Sequence, residues 1–109
     1  MSLDISLEIE VTEYKDVFSS NITHNLTDMA KEAGIYMHVW RPDEIGLCFA
    51  EDIVEPLESA IKEMKKEPER FRKHDAPNGW GTYSQFLPWL VELLEACKEN
   101  PKAKISTSR

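Results

Sequence analysis

The chain has 109 residues, with 20 acidic and 13 basic side chains, a formal net charge of −7, 41% apolar residues and 9% aromatic residues. This length predicts a single domain over residues 1–109, because domains typically run to about 100–150 residues. The composition excludes a disordered chain and a membrane-spanning one, and so small a core leaves no room for a large enclosed active-site cavity.

The first predicted element is a strand. Apolar and polar side chains alternate strictly from Leu3 to Val11. This alternation predicts a strand with one face in the core and the other in water. Residues 12–22 carry Thr, Ser, Asp and Asn without a sustained period, so we expect them to form a connection.

Two different hydrophobic patterns follow between residues 24 and 40. The first has helical spacing and is made of Leu26, Met29, Ala30 and Ala33. It predicts a short helix over about residues 24–33, ended by a left-handed Gly34. The second alternates apolar residues at positions 35, 37 and 39. It predicts a strand or an extended loop over residues 35–40.

The middle of the chain is predicted to be helical. Pro42 and the acidic residues after it favour one helical turn over Arg41–Ile45, closed by Gly46. An apolar stripe from Ala50 to Met64 predicts a longer helix with Pro56 near its first turn. A further short helix is expected from Pro68 to about His74, with Phe71 as its buried anchor.

The last third begins with the strongest turn chemistry of the sequence, at residues 76–81. Thr82 and Gln85 then have the spacing of a capping box, which predicts the start of a long apolar helix. Pro88 predicts a kink inside it, and Asn100-Pro101 ends it. Alternation over residues 103–107 predicts a short final strand.

The predicted fold class is α+β. We expect the N- and C-terminal strands to pair in a small antiparallel sheet of two or three strands, with residues 35–40 as the candidate third strand. Three to five helices should cover its apolar face. Pairing of the terminal strands would set the outward Glu8 and Glu10 against lysines of the final strand.

Cysteine content and targeting signals predict the cellular compartment and the absence of a metal site. Cys48 and Cys97 have apolar neighbours and are expected to be buried free thiols. The sequence has no CxxC pair and no HxxxH spacing, so we predict no metal and no cofactor. It shows no secretion signal and no apolar run of about 20 residues, which predicts a cytoplasmic protein without membrane contact.

Charge is distributed unevenly along this acidic chain. Residues 1–58 hold 13 acidic and 3 basic side chains, whereas residues 59–74 hold 6 basic and 3 acidic ones. The basic stretch alternates in sign, which is typical of a solvated helix face. Because most of the remaining surface would repel phosphates, we predict no binding to nucleic acid.

The motifs of common catalytic sites are absent. The sequence contains no GxSxG, P-loop, GxGxxG or HExxH motif. Residues 78–81 look superficially like a glycine-rich phosphate loop, but they lack its lysine and follow no recognisable strand. We therefore expect a tight turn with a buried Trp80, and we lean against an enzyme.

One group of polar and aromatic residues could form a ligand site. Its candidate members are His24, Asn25, His38, Trp40, Arg41, Asn78, Trp80 and Tyr83. Arg41 could form a bidentate contact with an anion, the tryptophans could stack, and a histidine could move a proton near neutral pH. Such a pocket would suit a small anionic or nucleotide-like ligand.

A purely structural interpretation of the same residues is favoured. Thr23 and Asn25 would then only cap a helix, and His24 beside them would hydrogen-bond the backbone. The tryptophans would lie in the core, and Arg41 would pair with a carboxylate.

Five segments resemble a family of small uncharacterised proteins of bacteria and their phages. They are Ile22–Ala30, Glu32–Tyr36, Trp40–Gly46, Asn78–Tyr83 and Ile105–Arg109. The resemblance covers most of the chain and implies a bacterial or phage cytosolic setting. It implies no activity and therefore no catalytic residues.

Two functions remain as hypotheses. The favoured one is a non-catalytic binding or protein-interaction module that meets a protein partner or a second copy of itself through tryptophan surfaces. The alternative is a small-ligand protein or weak enzyme with a pocket at His24, His38, Arg41 and Asn78. An exposed apolar patch at a tryptophan would favour the first.

Overall fold

Three strands form one antiparallel sheet in the order β2-β1-β3. The computed structural model describes residues 1–10 and 14–109. The strands are β1 (Ser2–Glu10), β2 (Tyr14–Thr23) and β3 (Lys104–Ser108). The predicted pairing of the terminal strands is confirmed, with Glu8 opposite Lys104 in the register. Val11, the predicted end of the first strand, lies outside the described residues.

The prediction of a connection over residues 12–22 is wrong, because β2 occupies most of this range. The register places Phe18 opposite Leu7 and Ile22 opposite Leu3, so these apolar side chains share the core side of the sheet. Ser20 interrupts their alternation, and its hydroxyl accepts the indole N–H of Trp89 at 2.9 Å. The alternation of apolar side chains in β2 is thus interrupted by a polar residue that has a hydrogen-bond partner elsewhere in the fold.

Five α-helices surround the core side of the sheet. They are α1 (Thr27–Glu32), α2 (Tyr36–Trp40), α3 (Val54–Lys66), α4 (Pro68–Arg72) and α5 (Tyr83–Glu99). Short 3₁₀ turns cover His24–Leu26, Pro42–Ile45 and Ala50–Ile53. The α+β class is therefore confirmed. No helix within residues 1–10 and 14–109 combines the length and the apolarity that crossing a membrane requires.

The prediction of a strand or extended loop over residues 35–40 is also wrong, because these residues form the start and body of α2. Ile35, Val39 and Trp40 are buried, at i, i+4 and i+5. This spacing is helical and competes in the sequence with the alternation at positions 35, 37 and 39. The third strand is β2 instead.

The core lies between the sheet and the two long helices, α3 and α5. The predicted stripe of α3 is confirmed, with Leu57, Ala60, Ile61 and Met64 buried. Phe71 anchors α4 and is fully buried. Pro88 lies inside α5 as predicted, and the kink there stays a prediction.

The two cysteines differ in their surroundings. Cys97 is buried on α5, and burial raises the pKa of its thiol to about 12. Cys48 is exposed, so the prediction that it is buried is wrong. Its apolar neighbour Phe49 is itself 39% exposed, which means that an apolar local sequence did not indicate a core position here.

The face of the sheet that turns away from the core is polar, and we call it the outer sheet face. Register pairs Asp4 of β1 with Asn21 and Ser108, and Ser6 with Ser19 and Ser106. Except for the half-buried Ser6, these side chains are exposed. The sheet thus presents a surface of hydroxyl, amide and carboxylate groups.

Candidate binding site around Trp80

The loop over residues 76–81 is held by its own backbone and by Asn78. The amide of Ala76 donates to the carbonyl of Gly81 at 2.9 Å, and the amide of Gly79 donates to the carbonyl of Ala76 at 3.0 Å. The side-chain oxygen of Asn78 accepts from the amide of Trp80 at 3.0 Å. The turn predicted here therefore forms with a defined geometry.

Gln85 ties this loop to the first turn of α5. Its Oε1 accepts from the amides of Gly81 at 2.9 Å and Thr82 at 3.1 Å, and its Nε2 donates to the carbonyl of Gly79 at 3.1 Å. The contact with Thr82 belongs to the predicted capping box, which is confirmed. One side chain thus stabilises both the helix start and the loop.

Asn25 ties the same loop to the end of β2. Its Nδ2 donates to the carbonyl of Trp80 at 2.7 Å. The approach requires a glycine at position 81, where φ is +113° and an added Cβ would lie 2.9 Å from the Cβ of Asn25. The loop is consequently fixed by three side chains, its own Asn78 together with Gln85 and Asn25.

The indole of Trp80 projects from this fixed loop into solvent. Its side chain is 74% exposed, so the predicted burial of Trp80 is wrong. The backbone of Trp80 makes hydrogen bonds through both its N–H and its C=O, as given above. These bonds therefore fix the backbone from which an exposed aromatic ring projects.

A shallow depression of about 340 Å³ lies beside Trp80 at the end of the sheet. It is lined by Met1, Ser2, Asn21, Thr23, Asn25 and Trp80. Asn21 is oriented by its amide group, which donates to the hydroxyl of Ser2 at 2.9 Å and to Asp4 Oδ1 at 2.6 Å. We call this depression together with the loop the Trp80 site. Its lining side chains are uncharged.

His24 and Trp40 contact each other away from this depression. The indole N–H of Trp40 donates to Nδ1 of His24 at 2.9 Å. Trp40 is buried and stacks on Tyr36 with ring centroids 5.7 Å apart. Trp40 therefore lies in the core, as the structural interpretation expected, whereas His24 bonds to a side chain and not to the backbone.

Arg41 is engaged within the protein. Its Nε donates to the hydroxyl of Tyr36 at 3.0 Å, and its Nη1 pairs with Glu44. These hydrogen bonds, that of Tyr36 first, raise the pKa of the Arg41 guanidinium. Arg41 thus pairs with a carboxylate, which was the structural interpretation of this residue.

His38 and Tyr83 lie in two further places. His38 lines a separate depression of about 220 Å³ with Lys31, Gly34, Tyr36 and Met37. Its Nδ1 is buried without a hydrogen-bond partner in the described part of the chain. Tyr83 is buried, and its hydroxyl donates to the carbonyl of Met64 at 2.9 Å.

Of the eight candidate residues, only Asn25, Asn78 and Trp80 come together at the Trp80 site. Sequence reasoning missed Ser2, Asn21 and Gln85 as members. Gln85 carried a signal, the capping-box spacing, which indicated a helix start only. Nothing in the sequence near Asn21 connects it with a loop more than 50 residues later.

Another depression of about 280 Å³ lies at the other end of β1. It is lined by Phe49 together with Glu8, Ile9, Glu10, Lys102 and Lys104. Charges of both signs occupy this surface. Among residues 1–10 and 14–109, no group of three His, Cys, Asp or Glu side chains could hold a metal ion.

A charged cluster joins α1 to α4. Arg70 donates from Nε to Glu32 Oε2 at 3.0 Å, and it also pairs with Glu63 and Glu67. Glu32 Oε1 lies 3.2 Å from Nε2 of His74. Hydrogen bonds from His74 and then Arg70 lower the pKa of Glu32 to about 2. Part of the basic stretch is thus used in contacts inside the protein.

Comparison with known proteins identifies no relative. No protein-family model, no curated protein and no solved structure matches the chain. The resemblance to small bacterial and phage proteins therefore stays a prediction from the sequence.

Proposed function

We propose that this protein is a non-catalytic binding module and that the Trp80 site is its contact surface. The observation that carries the proposal is the 74% exposure of Trp80 on a loop held by Asn25, Asn78 and Gln85. Tryptophan is enriched among residues that dominate binding energy at interfaces. A contact residue held in place before binding loses less conformational freedom when the partner arrives.

The positions of the other candidate residues support binding over catalysis. His24 accepts a hydrogen bond from Trp40, Arg41 is paired with Tyr36 and Glu44, and Tyr83 is bonded to a backbone carbonyl. A general acid or base has to reach the reacting group of a substrate. These three side chains instead satisfy groups of the protein itself. A bacterial or phage cytoplasmic setting belongs to the same proposal and rests on the sequence.

A fragment screen tests whether the Trp80 site is the binding surface. The probes are small neutral amides, aromatics and polyols, added singly to ¹⁵N-labelled protein while backbone and indole N–H resonances are followed by NMR. We expect the shift changes to cluster at Thr23, Asn25 and residues 78–81, because small probes collect where a surface binds partners. The variant Trp80→Ala should lose the cluster while keeping the remaining spectrum.

Phe49→Ala provides the matched control, since Phe49 is also an exposed aromatic residue but lines a different depression. This variant should keep the cluster at the Trp80 site. Shift changes that gather elsewhere, or that persist in Trp80→Ala, would show that the Trp80 site is not the contact surface.

One observation favours a second candidate, the small-ligand alternative. His38 presents a buried Nδ1 without a protein partner in the described part of the chain, and the depression it lines includes Tyr36 and Lys31. The same screen separates the two candidates, because ligands of this depression would shift the resonances of residues 31–38.

A further inference from the structure

We propose that the Trp80 site binds a neutral saccharide. The ring of the sugar would stack on the indole of Trp80, and its hydroxyl groups would bond to Ser2, Asn21, Thr23 and Asn25. This inference rests on the proposed function and names the class of ligand that the contact surface takes.

The aromatic ring supplies the stacking half of the site. One face of a pyranose ring is lined by C–H groups that carry a small positive charge, and the face of an indole is negative. The exposed Trp80 can offer such a face, and its loop holds it beside the polar depression. A sugar could therefore cover the indole without giving up the hydrogen bonds of its hydroxyl edge.

Side-chain hydroxyls and amides supply the polar half. The hydroxyls of Ser2 and Thr23 each accept a hydrogen bond inside the protein, from Asn21 and from the amide of Asn25. Each hydroxyl still has its own proton to donate. The side-chain carbonyl oxygens of Asn21 and Asn25 are acceptors, because their NH₂ groups make the donor contacts. Neighbouring sugar hydroxyls need this mixture of donors and acceptors.

Charges of both signs lie at the Trp80 site, so the ligand is selected by stacking and by hydrogen bonds. Met1, which carries the cationic α-amino group, lines the site, and the carboxylate of Asp4 accepts a hydrogen bond from Asn21 Nδ2 at 2.6 Å. The whole chain carries a net charge of −7. A neutral sugar makes its stacking and hydroxyl contacts without depending on either charge.

The polar surroundings favour a sugar over a protein partner. A tryptophan at the centre of a protein interface is surrounded by contacts that exclude water. Around Trp80 the depression offers hydroxyls and amides, and the outer sheet face continues from Asn21 to Ser19 and Ser6 with further polar groups. Additional sugar units of a longer chain could lie along this face.

Size sets the expected affinity. A volume of about 340 Å³ is near the lower limit of roughly 300–1,000 Å³ for small-molecule sites. A shallow site with one stacking ring should bind one or two sugar units with a dissociation constant on the order of 1 mM.

The test is an NMR titration of the full chain with glucose, galactose, N-acetylglucosamine, maltose and cellobiose. Glucose 6-phosphate and glucuronate serve as charged counterparts. We expect at least one neutral sugar to move the Trp80 indole N–H and the Asn25 resonances to saturation. The charged counterparts should bind no more tightly than the corresponding neutral sugar, because the stacking and hydroxyl contacts are the same.

Variants assign the contacts. Trp80→Ala should weaken the sugar by at least tenfold, and Trp80→Phe should restore part of the binding because the ring remains. Asn21→Ala should weaken it about 2- to 12-fold, the ratio that corresponds to one hydrogen bond. Phe49→Ala should leave the titration unchanged. Circular dichroism and thermal unfolding of each variant establish that it is folded.

The outcomes separate the two proposals. If fragments cluster at the Trp80 site but none of the neutral sugars shifts its resonances, the saccharide proposal fails and the proposed function stands. If neither fragments nor sugars act there, both fail. Binding of a charged sugar at least about tenfold tighter than that of its neutral counterpart would overturn the ligand class. A concentration-dependent dimer in sedimentation that Trp80→Ala abolishes would identify a second copy of the chain as the occupant and would also overturn it.

Discussion

Trp40 and Trp80 occupy opposite environments in the same small protein. Trp40 is held by its side chain, because its indole N–H donates to His24 and its ring packs on Tyr36 and Phe86. Trp80 is held by its backbone, while its ring is 74% exposed. A tryptophan fixed through its side chain contributes to the core, whereas one fixed through its backbone can be offered to a partner.

The largest expected effect separates these two residues directly. Trp40→Ala should lower the free energy of unfolding by about 3–5 kcal/mol, because it removes a buried aromatic ring and leaves a cavity. Trp80→Ala should stay within about 0.5 kcal/mol of the parent, as substitutions at exposed positions do. Urea unfolding of both variants, followed by circular dichroism, measures the difference.

A similar loss of unfolding free energy in Trp40→Ala and Trp80→Ala would contradict this comparison. It would mean that the indole of Trp80 is packed in solution and is not available for contact. Trp40→Phe is the control for ring packing, since it keeps an aromatic ring while removing the hydrogen bond to His24 and part of the buried ring volume.

The sequence predicted an element correctly where the residues of that element alone showed its pattern. The strict alternation of β1 and the Thr82–Gln85 capping box both correspond to observed elements. Prediction failed for β2, where Ser20 takes a core-side position because Trp89 lies within hydrogen-bonding distance. That distance is set by the tertiary fold, so no inspection of residues 12–22 alone could supply it.

The second prediction concerns how the Trp80 loop approaches Asn25. Gly81→Ala should destabilise the protein by about 1–3 kcal/mol, because φ is +113° there and the new Cβ would meet Asn25 at 2.9 Å. Gly79→Ala is matched, since φ is +78° but nothing lies within 4 Å of the added Cβ. It should cost less, about 1–2 kcal/mol from the left-handed backbone alone.

Thermal and urea unfolding rank the two glycine variants. A Gly81→Ala protein as stable as Gly79→Ala would show that the loop can move away from Asn25 without cost. In that case the loop would not be fixed before binding, and the contrast between Trp80 and Trp40 would lose its structural basis.

A third prediction removes the hydrogen bond that joins the loop to the end of β2. Asn25→Ala should cost about 0.5–1.5 kcal/mol, because the carbonyl of Trp80 loses its 2.7 Å contact but can bond to water. Amide hydrogen exchange should quicken in residues 78–81 and stay unchanged around Trp40. Faster exchange at both tryptophans would indicate general destabilisation instead of a loosened loop.

The candidate site was harder to predict than the fold, because its residues come from segments that are far apart in the sequence. Asn78 and Trp80 are neighbours in sequence, and both belong to the observed site. Asn21 reaches it from β2, an element that the sequence did not reveal, and the candidate Asn25 reaches it from the turn that follows β2. Arg41 has the chemistry of an anion ligand but is paired with Glu44, since the turn after α2 brings the two side chains together.

The smallest of these effects should come from acid acting on Glu32, in the cluster that joins α1 to α4. The pKa of Glu32 is lowered from its ordinary value of 4.5 to about 2 by His74 and Arg70, so its ionised form stabilises the folded state above pH 4.5. This contribution should disappear as the pH falls from 4.5 through 2, and it should be modest because exposed ion pairs contribute little. The Trp80 loop is held by Asn25, Asn78 and Gln85, whose side chains do not titrate in this range. In urea unfolding between pH 6 and pH 2.5, the free energy of unfolding should therefore fall more steeply with acid in the parent than in Glu32→Gln. The hydrogen exchange of residues 78–81, relative to that of the whole protein, should stay constant. An equal pH dependence in both proteins would mean that the Glu32 cluster does not stabilise the contact between α1 and α4.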